Sequence, residues 1–258
     1  MNASAYFEVN VLKVFGIADV SAISSRYLAL FTSDPGNDGQ SGTEASYTGY
    51  ARKSLTFAAP TITDGVLTMA NSNKIVFPNT SGTTQRITHV ALFSASTGGN
   101  MLLYGAMTTP VDNVAGMVFS PGSISWTISG DLSDNFKTAI ANVLRNTAIT
   151  KITPYVGLFD GDPRTSGTEV SGGSYARKKL TITAPTSVNG MGYTYPSAAI
   201  EFATPTADWG TVTHVAIMQT ASSSNIFAVF QLQTPVNILT DDVVTIPADQ
   251  TSMQLYIG

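Results

Sequence analysis

Two long stretches of this 258-residue chain repeat one another, and that duplication limits the possible folds more than any other feature. Leu28-Ala29-Leu30-Phe31, followed by Asp34-Pro35, returns as Val156-Gly157-Leu158-Phe159, followed by Asp162-Pro163. Gly42-Thr43-Glu44, Tyr50-Ala51-Arg52-Lys53 and Ala59-Pro60-Thr61 return as Gly167-Thr168-Glu169, Tyr175-Ala176-Arg177-Lys178 and Ala184-Pro185-Thr186. Thr88-His89-Val90-Ala91 and Thr109-Pro110-Val111 return as Thr213-His214-Val215-Ala216 and Thr234-Pro235-Val236. The offset is 128 residues through the Asp-Pro pair and 125 beyond it, so one three-residue insertion separates the copies over that stretch. The chain is therefore a tandem duplication, with modules at 1–130 and 131–258 that meet near Gly130-Asp131.

Each copy opens with the same apolar spacing. Phe7, Val11, Val14 and Phe15 stand at i, i+4, i+7 and i+8, as do Phe136, Ile140, Val143 and Leu144, and this spacing predicts an amphipathic helix. Ser133 is placed to cap the second one. The rest of each copy runs in short β-branched or aromatic stretches, punctuated by Gly, Pro, Asn and Ser. The predicted strands are 26–31, 87–93, 101–106 and 124–128 in the first copy, and 154–159, 199–203, 212–218, 226–232 and 254–257 in the second. Strands at this spacing with no helices between them imply an antiparallel arrangement. The expected fold is mainly β: two tandem repeats, each an N-terminal helix followed by an antiparallel β-sandwich of jelly-roll-like form.

Composition narrows the function. Charged residues make up only 12% of the chain, and Ser and Thr fill much of the gap, unlike a helical bundle or a coiled coil. Thirteen Lys and Arg against seventeen Asp and Glu, with no basic run longer than Arg177-Lys178-Lys179, leave no electrostatic footprint for nucleic acid. The absence of cysteine excludes disulfides, zinc–thiolate sites, iron–sulfur clusters and thiol catalysis. No apolar run is long enough for a membrane-spanning helix. The first twenty residues carry Glu8 and no early Lys or Arg, so they do not read as a signal peptide.

The matched residues include candidates for chemistry. His89 and His214, the two histidines, sit in Thr-His-Val-Ala strands, where a local hydrogen bond is the simpler role; catalysis would need a nucleophile or carboxylate beside each. Glu44 with Arg52 and Glu169 with Arg177 predict an internal ion pair in each copy that holds the loop between its members. A glycosidase pair would need a second acid near Glu44, and Asp34 and Asp162 stand before proline in turn-like contexts. The 34–39 segment has oxygen ligands in the wrong order for a calcium loop and reads as a polar turn. Tyr193 and Tyr195 could present two aromatics on one face, as sugar-binding modules do. No phosphate loop, zinc spacing or nucleophile elbow occurs. The expectation is a non-enzyme with no catalytic, cofactor-binding or metal-binding residues and no cofactor.

Residues 27–35, 167–178 and 207–217 together resemble small structural proteins of tailed bacteriophages, of the tail-fibre-like and decoration kind. The resemblance covers nearly all of each copy and implies a virion structural protein without enzymatic activity. It is better in the second copy: the first has Ala45-Ser46-Tyr47-Thr48-Gly49 in place of Val170-Ser171-Gly172-Gly173-Ser174, and Thr83-Thr84-Gln85-Arg86 in place of Asp208-Trp209-Gly210-Thr211. These departures bear on any surface contact the copies would share rather than on the fold. The expected role is a capsid decoration (cement) protein that stabilises the head and binds the major capsid protein. The alternative is a tail-fibre or tail-tip component that binds tail proteins and takes part in host attachment. Expected also are a homo-oligomer, a trimer among the arrangements, no nucleic-acid or membrane partner, and a place in the virion after assembly in the host cytoplasm. A secreted carbohydrate-binding module fits less well without a signal peptide.

Overall fold

A computed structural model describes residues 1–79, 83–113 and 116–248. The first copy runs β1 (Asn2–Ala3), α1 (Ala5–Leu12), β2 (Tyr27–Phe31), β3 (Lys53–Ser54), β4 (Thr61–Thr63), β5 (Val66–Ala70), β6 (Ile75–Phe77), β7 (Arg86–Phe93), β8 (Met101–Asp112), β9 (Met117–Phe119) and β10 (Ser125–Ile128). The second runs α2 (Asp134–Val143), β11 (Tyr155–Asp160), β12 (Thr168–Glu169), β13 (Lys178–Lys179), β14 (Thr186–Val188), β15 (Met191–Tyr193), β16 (Ile200–Glu201), β17 (Gly210–Met218), β18 (Ile226–Ile238) and β19 (Thr245–Ile246). The strand expected at 254–257 lies outside the described residues.

The protein is mainly β, in two tandem segments of antiparallel sheet. One large sheet, ordered β1-β8-β7-β2-β3, faces two smaller ones, β10-β5-β4 and β6-β9. In the second copy the large sheet is β12-β11-β17-β18, with β13 also on β11, and the pairs β14-β15 and β16-β19 form separate small sheets. Among the described residues, each sheet draws its strands from one copy. Alternation sends every second side chain inward: Leu28 and Leu30 from β2 meet Leu67, Met69, Trp126 and Ile128 from the opposing sheet in one core. The outer face of β2 is covered too, because Ala29, Phe31, Ala91, Phe93 and Met101 form a second cluster, matched by Phe159, Ala216, Met218 and Val229.

β8 and β18 are longer than the sequence suggests, and the repeated Thr-Pro explains how. Ile87 pairs with Val111 and His89 with Ala106, so the chain bulges across 107–110; Val212 pairs with Val236 and His214 with Gln231 in the same way. Proline has no N–H for the ladder, and Pro110 and Pro235 each fall inside this irregular stretch. In contrast, the apolar spacing overstates the helices. Val14 and Phe15 lie beyond the end of α1, in the turns after it, and Leu144 is the C-terminal cap of α2. All three are buried nonetheless. The stripe marks burial correctly, but the helical hydrogen bonds stop earlier.

Both helices start in the same way. The Ser4 hydroxyl accepts from the Phe7 N–H at 3.2 Å and donates to the Met101 carbonyl at 2.6 Å, and Ser133 repeats this with Phe136 and Ile226. Eight- and ten-residue helices are marginal alone, so packing must hold them. Phe7 meets Trp126 edge-on at 5.8 Å within its own copy, but α1 also packs on β14 and β15 of the second copy, and α2 packs on β5 of the first. The exchange is reciprocal at the junction. Val20 and Ile149, which occupy matching places after the two helices, trade backbone hydrogen bonds of 2.8 and 3.0 Å. Ile152 N–H donates to Val14 O at 2.9 Å, and in the mirrored contact Ile23 N–H donates to Val143 O at 3.0 Å. One continuous apolar core therefore runs through both copies.

Candidate functional site

The expected ion pairs form, each as the centre of a larger clamp. Arg52 donates to Glu44 through Nε–Oε1 at 2.8 Å and Nη2–Oε2 at 2.7 Å, the two-pronged geometry a planar guanidinium favours. Its remaining Nη1 donates to the carbonyls of Ala95 and Gly98, at 3.1 and 2.6 Å, in the tight loop between β7 and β8. The Tyr50 hydroxyl donates to Glu44 Oε1 at 2.8 Å and accepts from the Leu30 N–H at 3.1 Å, tying the carboxylate to the central strand. The guanidinium lies 3.6 Å above the centre of the Phe93 ring, where it covers the outer apolar cluster.

The second copy repeats this almost atom for atom. Arg177 bonds Glu169 at 2.7 Å through both prongs and reaches Thr220 O at 3.2 Å and Ser223 O in the β17–β18 loop. The Tyr175 hydroxyl donates to Glu169 at 2.8 Å and accepts from Leu158 N–H at 3.0 Å. Met218 stands where Phe93 does, so the cation–ring contact belongs to the first copy alone. The clamp fixes more than the loop between its members: it pins the tip of the next hairpin, exposed at 96–100 and at 220–222.

The electrostatics follow from this geometry. Burial pushes the Glu44 carboxyl up, but hydrogen bonds from Arg52 and Tyr50 outweigh it and hold the group below the usual range. Arg177 is held above its ordinary value, chiefly by its hydrogen bonds to Glu169. Burial, then donation to a carboxylate, drives the Tyr50 and Tyr175 hydroxyls well above the ordinary tyrosine value. Both tyrosines therefore act as donors. Tyrosine stands six residues after glutamate in both copies, a signal present in the repeated Tyr-Ala-Arg-Lys that spacing of the charged pair alone does not reveal.

The departures between the copies turn out to be compensated inside the core. Tyr47 packs edge-on against Tyr50, with centroids 5.4 Å apart, and the matching position in the second copy is Gly172. There the edge-on ring is Trp209, 5.2 Å from Tyr175, and its counterpart in the first copy is Thr84. Phe77 and Phe202 stack on the other side of the two clamp tyrosines, at 6.0 and 6.2 Å. The same place is filled from a different loop in each copy. Part of the altered sequence thus marks a repacked interior, while Ser46, Thr48, Thr83 and Arg86 remain exposed.

The histidines behave as strand residues. Nδ1 of His89 and of His214 lies 2.8 Å from the hydroxyl of the preceding Thr88 or Thr213, and each half-buried ring sits beside the bulge. Asp34 is 3.9 Å from His89 Nε2, and the hydroxyl on each ring is that of the neighbouring strand residue, the local hydrogen bond expected. Asp34 and Asp38 accept backbone N–H bonds at 2.9 Å from Gly36 and Gln40, so the 34–39 segment is the polar turn expected. Asp162 accepts the matching backbone N–H, from Arg164 at 2.9 Å, and also pairs with the Arg164 side chain at 2.8 Å, whose hydrogen bonds hold its carboxyl low. Tyr193 and Tyr195 do share a face, 6.4 Å apart and nearly parallel, both half-buried. Among the described residues, no group of three or more His, Cys, Asp or Glu is placed to hold a metal ion, and no helix is long and apolar enough to cross a membrane.

A doubled β scaffold, with the same clamp and the same bulge in each copy, has the build of a structural module. The chain belongs to the family described as Podophage GP4 fiber I protein gp80, whose model matches residues 2–127 and again residues 131–254. It is a phage virion structural protein with a duplicated module. No curated protein matches the chain.

Proposed function

We propose that this protein is a non-enzymatic component of a phage tail fibre that acts through shape and contact, with the clamped hairpin tips among its contact surfaces. The observation that carries this reading is the match of both halves to a fibre-protein family. It favours the tail over the head, and so displaces the cement role expected from the sequence resemblance. The clamps support it: each one fastens an exposed, polar tip rich in small residues to the central sheet, which lowers the ordering cost when that tip meets a partner. The partners would be other virion proteins and further copies of this chain. Val76 and Val118, exposed and directly opposed across β6 and β9, offer apolar contact for such a homo-oligomer.

The test is its position on the particle. An electron-dense label on the protein should appear at the tail, and virions lacking it should adsorb poorly to cells while keeping their genome on warming. A label on the head, with normal adsorption and earlier genome loss, would reverse the assignment to decoration.

A further inference from the structure

The reciprocal packing of the two helices is two-fold in plan, yet the residues across it are not the same on both sides. α1 brings Leu12 to β15, where the facing residue is Gly192; α2 has Ala141 at the matching helical place, and β5 has Leu67 at the matching strand place. All of Leu12, Ala141 and Leu67 are fully buried. A large helical residue therefore meets a bare backbone on one side; on the other, where α2 packs on β5, the place matched to Leu12 is small and the place matched to Gly192 is large. Gly192 has no room for more: a Cβ there would fall 2.8 Å from Glu8 Cβ and 3.2 Å from Leu12 Cδ1. Charge is exchanged too. Buried Glu8 accepts from the Gly192 N–H, while Lys137, its counterpart and equally buried, donates to the Gly65 carbonyl. Burial lowers the Lys137 ammonium's pKa.

We propose that this face is a heterospecific docking surface: the first copy accepts the second and rejects another of its own kind. Two first copies would press Leu12 onto Leu67, whose backbone already serves a ladder with β4 and β10. Two second copies would set Ala141 against Gly192, leaving a void and an N–H without the Glu8 acceptor. Size and charge mismatch act here as specificity devices against the homotypic pairs.

The test begins with the full chain, carrying a protease site at Gly130, which is exposed and has nothing within 4 Å of a built Cβ. After cleavage of the folded protein, the two fragments should co-elute as one particle at micromolar concentration. After denaturation and refolding of the cut mixture, native mass spectrometry should show mixed pairs over like pairs by about ten-fold or more. In the uncut chain, Gly192→Leu should lower the melting temperature, and adding Leu12→Ala should recover part of the loss. Fragments that separate on cutting, like pairs at the statistical ratio, or Gly192→Leu melting with the parent would each overturn the proposal.

Discussion

At the scale of single residues, the clamp glutamates carry the most consequence. Each takes both prongs of an arginine and a tyrosine hydroxyl while roughly a quarter exposed, so solvent screens part of the attraction. Arg52→Ala should cost about 1–3 kcal/mol in chemical denaturation, mostly from leaving Glu44 and two loop carbonyls without their donor. The pH dependence has a definite sign. Because the folded Glu44 carboxyl titrates lower than the unfolded one, its contribution is complete above the ordinary carboxylate range, near pH ~4.3, and is lost as pH falls through the lower folded value. The penalty of Glu44→Gln should therefore be largest at neutral pH and shrink towards pH 3, as measured by urea titration at each pH. An equal penalty at both ends would mean that the carboxylate is not the form the clamp uses.

At the scale of elements, two hairpins invite a direct comparison. β4–β5 and β14–β15 turn at Asp64-Gly65 and Asn189-Gly190, where all four residues have positive φ. Asp-Gly and Asn-Gly between short strands are strong hairpin signals, and they lie in segments where the apolar pattern alone predicts no strand. Gly65 faces open space, whereas a Cβ on Gly190 would run into the Asn37 side chain. Gly65→Ala should thus cost only the left-handed backbone strain, about 1–2 kcal/mol. Gly190→Ala should cost more, and Asn37→Ala should narrow the difference in a double-mutant cycle. The aromatic exchange beside the clamp makes a second comparison. Tyr47→Gly should destabilise by roughly 3–5 kcal/mol as a large-to-small core change, and Thr84→Trp added to it should return part of that, since Trp209 fills the same place from the corresponding loop. No recovery would mean that the two loops do not deliver their rings equivalently.

At the scale of the whole molecule, the two halves share one apolar core through the exchanged helices and the Val20–Ile149 pairing. Cooperative unfolding follows from shared burial. Differential scanning calorimetry should accordingly show a single transition for the chain, and Lys137→Met should shift that transition without splitting it. Two resolved transitions would show that the inter-copy core is too weak to couple the copies.

Much of this architecture is legible in the chain itself. The duplication shows as a near-constant offset, and the Ser133 cap, the longer central strands and the glutamate–arginine pairs rest on spacings of a few residues, within the reach of local backbone geometry and alternation. Helix ends and strand lengths are less so: Val14 and Phe15 satisfy a helical stripe because they are buried, and burial in a turn leaves the same mark as burial on a helix. Only the tertiary structure decided which hairpin each helix covers, and that Tyr47 and Trp209 do one job. Periodicity says which face is apolar and says nothing of what covers it. Glu8 and Gly192 meet across 184 residues of chain, and that meeting is set by the volumes and hydrogen bonds available where two copies close on each other.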